Sequence, residues 1–233
     1  MRMLEQRRLQ PEVMDQPGLD AGQHALALRG LARINWWSRS AGILWPALRE
    51  HLRRGPVRVL DLATGAGDVP VRLSLLAKRR RVPLLIEGCD VSAVAVGCAK
   101  RRAVAAGADV RFFVHDALTG PLLTGYDVVV SSLFLHHLEN EQARTFLARM
   151  GEQAGSLVLV NDLVRGAGGL LLAQVGTRLL SRSWVVHTDG PRSVEGAFTM
   201  PELRGLADAA GLRGAAVAWR WPCRMLLTWR RPS

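Results

Sequence analysis

From residue 57 onward, short runs of β-branched and aliphatic residues alternate with longer stretches in which apolar positions recur every three or four residues. The short runs read as buried strands and the longer stretches as amphipathic helices, so their alternation reads as βαβ units in a mostly parallel sheet. The pattern predicts strands over 57–62, 84–89, 110–114, 126–131 and 157–161, and helices over 69–79, 93–106 and 141–152. The first helix runs out into the basic residues 78–81 and the second stops at Gly107, both features of helix C-termini. After the fifth strand the periodicity gives way to an Arg- and Gly-punctuated stretch, 165–198, which is too long for an ordinary connection. A further helix starts near Met200-Pro201. Two apolar stretches, 214–220 and 224–229, joined through Trp221-Pro222, predict a closing antiparallel hairpin.

Before residue 57 the chain reads as helical or irregular, with turn signals at Gln10-Pro11 and Gln16-Pro17-Gly18. The expected organisation is therefore an N-terminal helical lid segment over 1–54 and one α/β domain over 55–233, with an insertion at about 165–198. A chain of 233 residues with 48% hydrophobic and 22% charged residues buries enough apolar surface to fold as such a domain. No apolar run approaches the roughly 18 residues needed to span a bilayer, and no secretory signal follows residues 1–8, so the expected location is the cytoplasm. Cys89, Cys98 and Cys223 are odd in number and form no CxxC pair, against both a disulfide framework and a zinc cluster.

The formal net charge of +11 attracts phosphates in principle. Its carriers are scattered, however, and only Lys78 and Lys100 are lysines, an arginine bias that a GC-rich coding sequence also produces. No specific nucleic-acid partner is expected from it.

The most informative stretch is Val59-Leu60-Asp61-Leu62-Ala63-Thr64-Gly65-Ala66-Gly67-Asp68, a strand feeding a Gly-rich turn and then a helix. Glycines let the backbone approach a ligand, and the helix N-terminus offers unpaired N–H groups, at the sheet edge where doubly wound folds bind nucleotides. Pro70 stands where a dinucleotide motif has its third glycine, and Asp68 would repel a pyrophosphate, which argues against NAD or FAD. The second strand ends in Asp90-Val91, an acid placed to accept both hydroxyls of a ribose. The third is followed by Asp116-Ala117, a carboxylate able to accept the exocyclic amine of an adenine. Each acid alone also reads as a helix cap or turn residue. Together they describe a crevice suited to an adenosine that carries no phosphates.

In order and spacing, DLATGAGD, CDVS, HDAL and YDVVVSSLFLHHL resemble the motifs of class I S-adenosylmethionine-dependent methyltransferases over residues 57–162. The resemblance implies a Rossmann-like, seven-stranded, mostly parallel α/β sheet with helices on both faces and S-adenosylmethionine as cofactor. It implies that Asp61, Ala63, Gly65 and Gly67 border the methionine part, Asp90 and Val91 the ribose and Asp116 with Ala117 the adenine, while Ser131 lines the pocket after strand four. Ala63 departs from the pattern, standing where many members carry glycine.

Nucleic-acid base methylation is the rival, with an RNA methyltransferase as one alternative. The chain has Ser131-Ser132-Leu133-Phe134 where amino-methylating enzymes carry Asn or Asp followed by Pro-Pro-aromatic, and its one Pro-Cys pair, Pro222-Cys223, lies in the terminal hairpin. The stretch from Arg33 to Trp45 is similar to the lid helix of quinone-biosynthesis methyltransferases, whose reaction, C-methylation of a quinone ring, is a second alternative. Trp36, Trp37 and Trp45 either wall an aromatic pocket or anchor a helix to the core. The string HTDGPRSVEGAFT and the openings at Pro11 and Ala27 resemble bacterial methyltransferases that accompany type III polyketide synthases, which implies O-methylation of a phenolic acceptor. A greasy acceptor also suits the apolar 170–172 run and peripheral contact with a membrane.

Methyl transfer to a phenol needs alignment and one base. His187, in the insertion expected to cover the acceptor, is the first candidate and His137 the second, with Asp189 and Arg192 to orient the acceptor. Asn161 and Asp162 match a metal-assisted site only in part, and no metal is expected.

Overall fold

The computed structural model describes residues 4–15, 18–20, 22, 23, 26, 27, 29, 30, 33, 34, 40–52 and 55–232. Seven strands form one sheet in the order β3-β2-β1-β4-β5-β7-β6. They are β1 (Val57–Leu62), β2 (Leu84–Asp90), β3 (Arg111–Val114), β4 (Tyr126–Ser132), β5 (Ala154–Leu163), β6 (Ala216–Arg220) and β7 (Arg224–Arg230). The first five are mutually parallel, and β7 inserts antiparallel between β5 and β6. Strand order therefore reverses beside β1, and the crevice at a parallel sheet's carboxyl edge opens at such a point.

Alternation along the strands divides the core. Leu60, Leu62, Val129, Val158 and Val160 pack with Phe146, Leu147, Met150 and Leu203 on one face. Val57, Val59, Val128, Val130, Leu157 and Leu159 pack with Leu44, Leu48 and Leu73 on the other. The helices that cover the faces are α1 (Ser40–Leu52), α2 (Asp68–Arg80), α3 (Ala93–Ala106) and α4 (Asn140–Gln153), followed by α5 (Ala167–Leu180), α6 (Trp184–Gly196) and α7 (Met200–Ala209). Their ends follow local chemistry. Ser92 accepts from the Ala95 N–H at the start of α3, Gly107 closes that helix in the left-handed region, and Thr199 with Glu202 caps α7 reciprocally.

Two expectations change. The 165–198 stretch is a pair of packed helices, α5 and α6, and the Asp189-Gly190-Pro191-Arg192 string, despite its glycine and proline, lies inside α6. The N-terminal segment does not act throughout as a lid. Helix α1 packs against the sheet, and Trp45 is 7% exposed in the core cluster with Leu44 and Leu48, so it anchors the helix to the core. Trp36 and Trp37 lie outside the described residues. Among the described residues no helix is long and apolar enough to cross a membrane.

Candidate active site

The β1–α2 turn builds the first wall of the site. Ala63 adopts φ 55° and Gly65 and Gly67 adopt φ 55° and 76°, so the chain curls back over the end of β1 before α2 begins. A Cβ on Gly67 would come within 2.8 Å of Ala99 and Phe112, whereas one on Gly65 would meet no atom within 4 Å. Gly67 is thus required by packing, and Gly65 presents bare backbone to open space. The Arg102 guanidinium ties the turn down by donating to the Ala66 carbonyl at 2.7 Å and pairing with Asp68.

Asp90, at the end of β2, braces the same turn: its carboxylate accepts the Gly65 N–H at 2.8 Å and the Ser92 N–H at 2.9 Å. Each oxygen keeps a further lone pair for a ligand hydroxyl. Beneath the turn, Asp61 is buried and accepts the Thr64 hydroxyl at 2.6 Å on one oxygen, while its other oxygen has no hydrogen-bond partner. Burial pushes its pKa up to about 7, against the Thr64 hydrogen bond and with the help of Asp90.

A cavity of about 610 Å³ runs from this turn to the α5–α6 pair, within the usual range for small-ligand sites of about 300–1,000 Å³. Ala63, Thr64, Gly65, Asp90, Val91 and Ser92 line one end. Leu172, Ala173, Gly176, Leu180 and Val186 line the other, with Leu133, Phe134, His136, His137 and Glu12 between. The α5–α6 end is mostly apolar, and Thr177, Ser193 and the buried Arg224 join the Glu12 and histidine cluster as polar members of the lining.

That cluster joins the N-terminal segment to the turn after β4. The short 3-10 turn Leu135–His137 follows β4 and carries both histidines, whose rings lie 4.1 Å apart. His136 Nδ1 meets the buried Asp162 carboxylate at 2.6 Å, and Asp162 also accepts the Leu163 N–H. Burial pushes the Asp162 pKa up, but the charge and hydrogen bond of His136 outweigh it and the net shift is downward. His137 Nδ1 lies 3.7 Å from Glu12 Oε1, which accepts the Ser193 hydroxyl at 2.6 Å. Burial, then the neighbouring His136, pull the His137 pKa down to about 4, so its imidazole is neutral near pH 7. One donor atom from each of Glu12, His136 and His137 lies within 4.8 Å of the other two.

The expected site residues divide. Ala63, Gly65, Asp90, Val91 and His137 line the cavity. Asp61 stands one layer behind the turn, and Ser131 is fully buried with its hydroxyl on the Leu62 carbonyl, leaving Ser132 to face the cavity. Asp116 turns its carboxylate to the N–H groups of Leu118 and Thr119 and to the Thr119 hydroxyl, with Ala117 buried beside it.

Three placements correct the sequence reading. His187 is not among the residues that line the cavity, which removes it as the base; its Nε2 donates to the Ser181 carbonyl at 2.9 Å. The buried Asp189 accepts the backbone N–H groups of Val13 and Met14 at 2.8 and 3.1 Å, and Arg192 donates to the Pro11 carbonyl at 3.1 Å. Both fasten an N-terminal strap, residues 4–15, and do not orient an acceptor. Glu12 itself went unnoticed as a site residue, because nothing in the local pattern marks a contact that spans more than a hundred residues.

A family described as "Methyltransferase domain" matches residues 59–153. Demethylmenaquinone methyltransferase of Thermus thermophilus is 34% identical over 172 residues, covering 69% of this chain and 76% of that protein. An uncharacterised methyltransferase of Mycobacterium bovis is 31% identical over 204 residues, covering 83% and 97%. Among solved structures, the apo S-adenosylmethionine-dependent methyltransferase SibL superposes with a TM-score of 0.69 at 19% identity, over 97% of this chain and 64% of that one. Magnesium protoporphyrin IX methyltransferase from Synechocystis, solved with S-adenosylhomocysteine bound, superposes with a TM-score of 0.58 at 18% identity, over 94% and 91%.

Proposed function

The chain belongs to the class I S-adenosylmethionine-dependent methyltransferases, and from that premise we propose that it methylates a small, hydrophobic, phenolic or quinone-like acceptor, with oxygen as the favoured atom. The observation that carries this reading is the cavity itself: one end is the glycine turn with Asp90, the other is mostly apolar, and a neutral histidine stands between them.

The bound cofactor supplies an electrophilic methyl group on a sulfonium. With the cofactor bound, Asp90 and Val91 would hold the ribose, Asp116 and Ala117 would flank the adenine, and Ala63, Gly65 and Gly67, with Asp61 behind them, would shape the methionine end. Phe134, Leu172, Ala173, Leu180 and Val186 exclude water from the acceptor. His137 would take the phenol proton as the acceptor oxygen receives the methyl group. The resulting imidazolium is stabilised by the Glu12 carboxylate. His136, fixed by Asp162, positions the turn that carries His137. An acceptor of this kind partitions into lipid, so peripheral membrane contact belongs to the same reading.

The relative named demethylmenaquinone methyltransferase favours a second reading, C-methylation of a quinol ring. Incubating the protein with methyl-labelled cofactor and, separately, an alkylated resorcinol and a demethylated naphthoquinol distinguishes the two. A methyl ether on the resorcinol is the expected product. A ring-methylated naphthoquinol with no ether product overturns the O-methylation reading in favour of the second.

A further inference from the structure

The outer face of α5 carries an apolar stripe beside its polar residues Gln174 and Arg178. Leu171, Val175 and Leu179, spaced by four and thus on one stripe, are 63%, 48% and 79% exposed, and Trp184 at the start of α6 is 52% exposed. Single exposed leucines are ordinary, but a continuous stripe ending in a tryptophan marks a contact surface. Between positions 166 and 188 the sequence has no Asp or Glu. The cations there, Arg178 and Arg182, are both exposed, and Arg33 joins them at the end of α5 by donating to the Leu180 carbonyl at 2.6 Å.

We propose that this stripe with its arginine rim is a docking surface for an anionic lipid bilayer, with α5 lying in the plane of the interface. Fourteen residues give a helix of about 21 Å, short of the roughly 30 Å hydrocarbon core. An interfacial helix with apolar residues inward and arginines at headgroup level fits that length. Charge selects the bilayer over a second copy of the chain, because a symmetric pairing sets one basic patch against another with no carboxylate in 166–188 to meet it. Leu172, Ala173, Gly176 and Leu180 on the same helix line the cavity, so a single helix separates lipid from the acceptor end of the site. The inference rests on the hydrophobic-acceptor reading for its purpose, though not for its test.

The test is flotation of the whole protein with vesicles of phosphatidylcholine alone and with about one-third phosphatidylglycerol. The wild type is expected to float with the anionic vesicles and to bind the neutral ones about tenfold more weakly. Leu171→Gln/Leu179→Gln is expected to lose at least tenfold in vesicle affinity while titrating S-adenosylhomocysteine as the wild type does. Arg178→Gln/Arg182→Gln is expected to erase the preference for anionic lipid. No flotation of the wild type, or equal flotation of the leucine variant, overturns the proposal. So does a wild-type dimer in sedimentation that the leucine variant dissociates, which assigns the stripe to a second copy. Flotation without methyl transfer to any phenol leaves the surface standing and removes the acceptor reading.

Discussion

Ala63 occupies the left-handed region at φ 55°, where an L residue pays about 1–2 kcal/mol, and it does so because the turn must curl over β1 to bring Gly65 to Asp90. Glycine removes that strain but loses about 0.5–1 kcal/mol to the freedom of the unfolded chain. Ala63→Gly is therefore expected to stabilise the protein slightly, raising Tm by about 1–3 °C in a thermal melt. His137 calls for a kinetic test. Because its pKa is pulled down to about 4, the neutral base persists far below the usual histidine range, and the acid limb of kcat/KM is expected near pH 4 and not near 6.5. His137→Ala should lower kcat about a hundredfold while S-adenosylhomocysteine binding holds. Asp61 runs the other way. Its folded pKa of about 7 lies above the unfolded value, so it contributes stability that is fully present below about pH 4 and lost as pH rises through 7. Asp61→Asn should flatten that decline in the apo protein. A cationic ammonium bound near Asp61 lowers its pKa, so cofactor binding at pH 7 is expected to release a proton, measurable by calorimetry in buffers of different ionisation enthalpy.

Individual side chains act through the elements that carry them, and here the N-terminal strap matters as much as the sheet. Arg7, its guanidinium stacked 3.8 Å over the Phe198 ring, donates to the carbonyls of Leu135, His136, Leu138 and Gly196, so one guanidinium closes the 3-10 turn that bears the histidines. Arg165 holds the Leu4 carbonyl, and Asp189 holds Val13 and Met14. Glu12 reaches His137 because these contacts fix the strap. Arg7→Ala orphans several carbonyls at once and is expected to cut kcat/KM about tenfold with cofactor affinity kept, a split visible in steady-state kinetics. The strap also shows what the chain's pattern conveys. Strands β1 to β4 and helices α2 to α4 were legible because burial on a regular period is a local property. The glycine turn and Asp90 were legible because their spacing along one βαβ unit is local too. Glu12 meeting His137 was not, since it depends on tertiary docking. Helices α5 and α6 were read as an irregular insertion because α5 carries apolar residues on both faces, which erases the helical period, and because Gly190 and Pro191 look like a turn. Chelation tests the role of the Glu12, His136 and His137 donors: proton transfer by His137 alone predicts that methyl transfer survives exhaustive treatment with a strong chelator. Loss of turnover restored by a divalent cation would make the cluster a metal site.

At the scale of the molecule the open question is what the charge of +11 does. Three uses have different salt signatures. A nucleic acid held by about six phosphate contacts loses roughly 10³ in affinity between about 50 and 200 mM salt. A small neutral phenol carries no charge and displaces no counterions, so its KM should change less than about twofold over the same range. A bilayer surface lies between, because the attraction of a few arginines to anionic headgroups is screened within a Debye length of about 8–10 Å while the apolar contact of Leu171, Val175 and Leu179 is not. The expected outcome is thus a divergence within one enzyme: turnover of a short, water-soluble phenol that is flat with salt, and turnover of a long-chain phenol delivered in anionic vesicles that falls several-fold. Steady-state assays on the two acceptors at matched salt concentrations check it. Equal flatness would leave the arginines without a role in delivery, and a steep fall for the soluble phenol would move the charge from the membrane surface to the site itself.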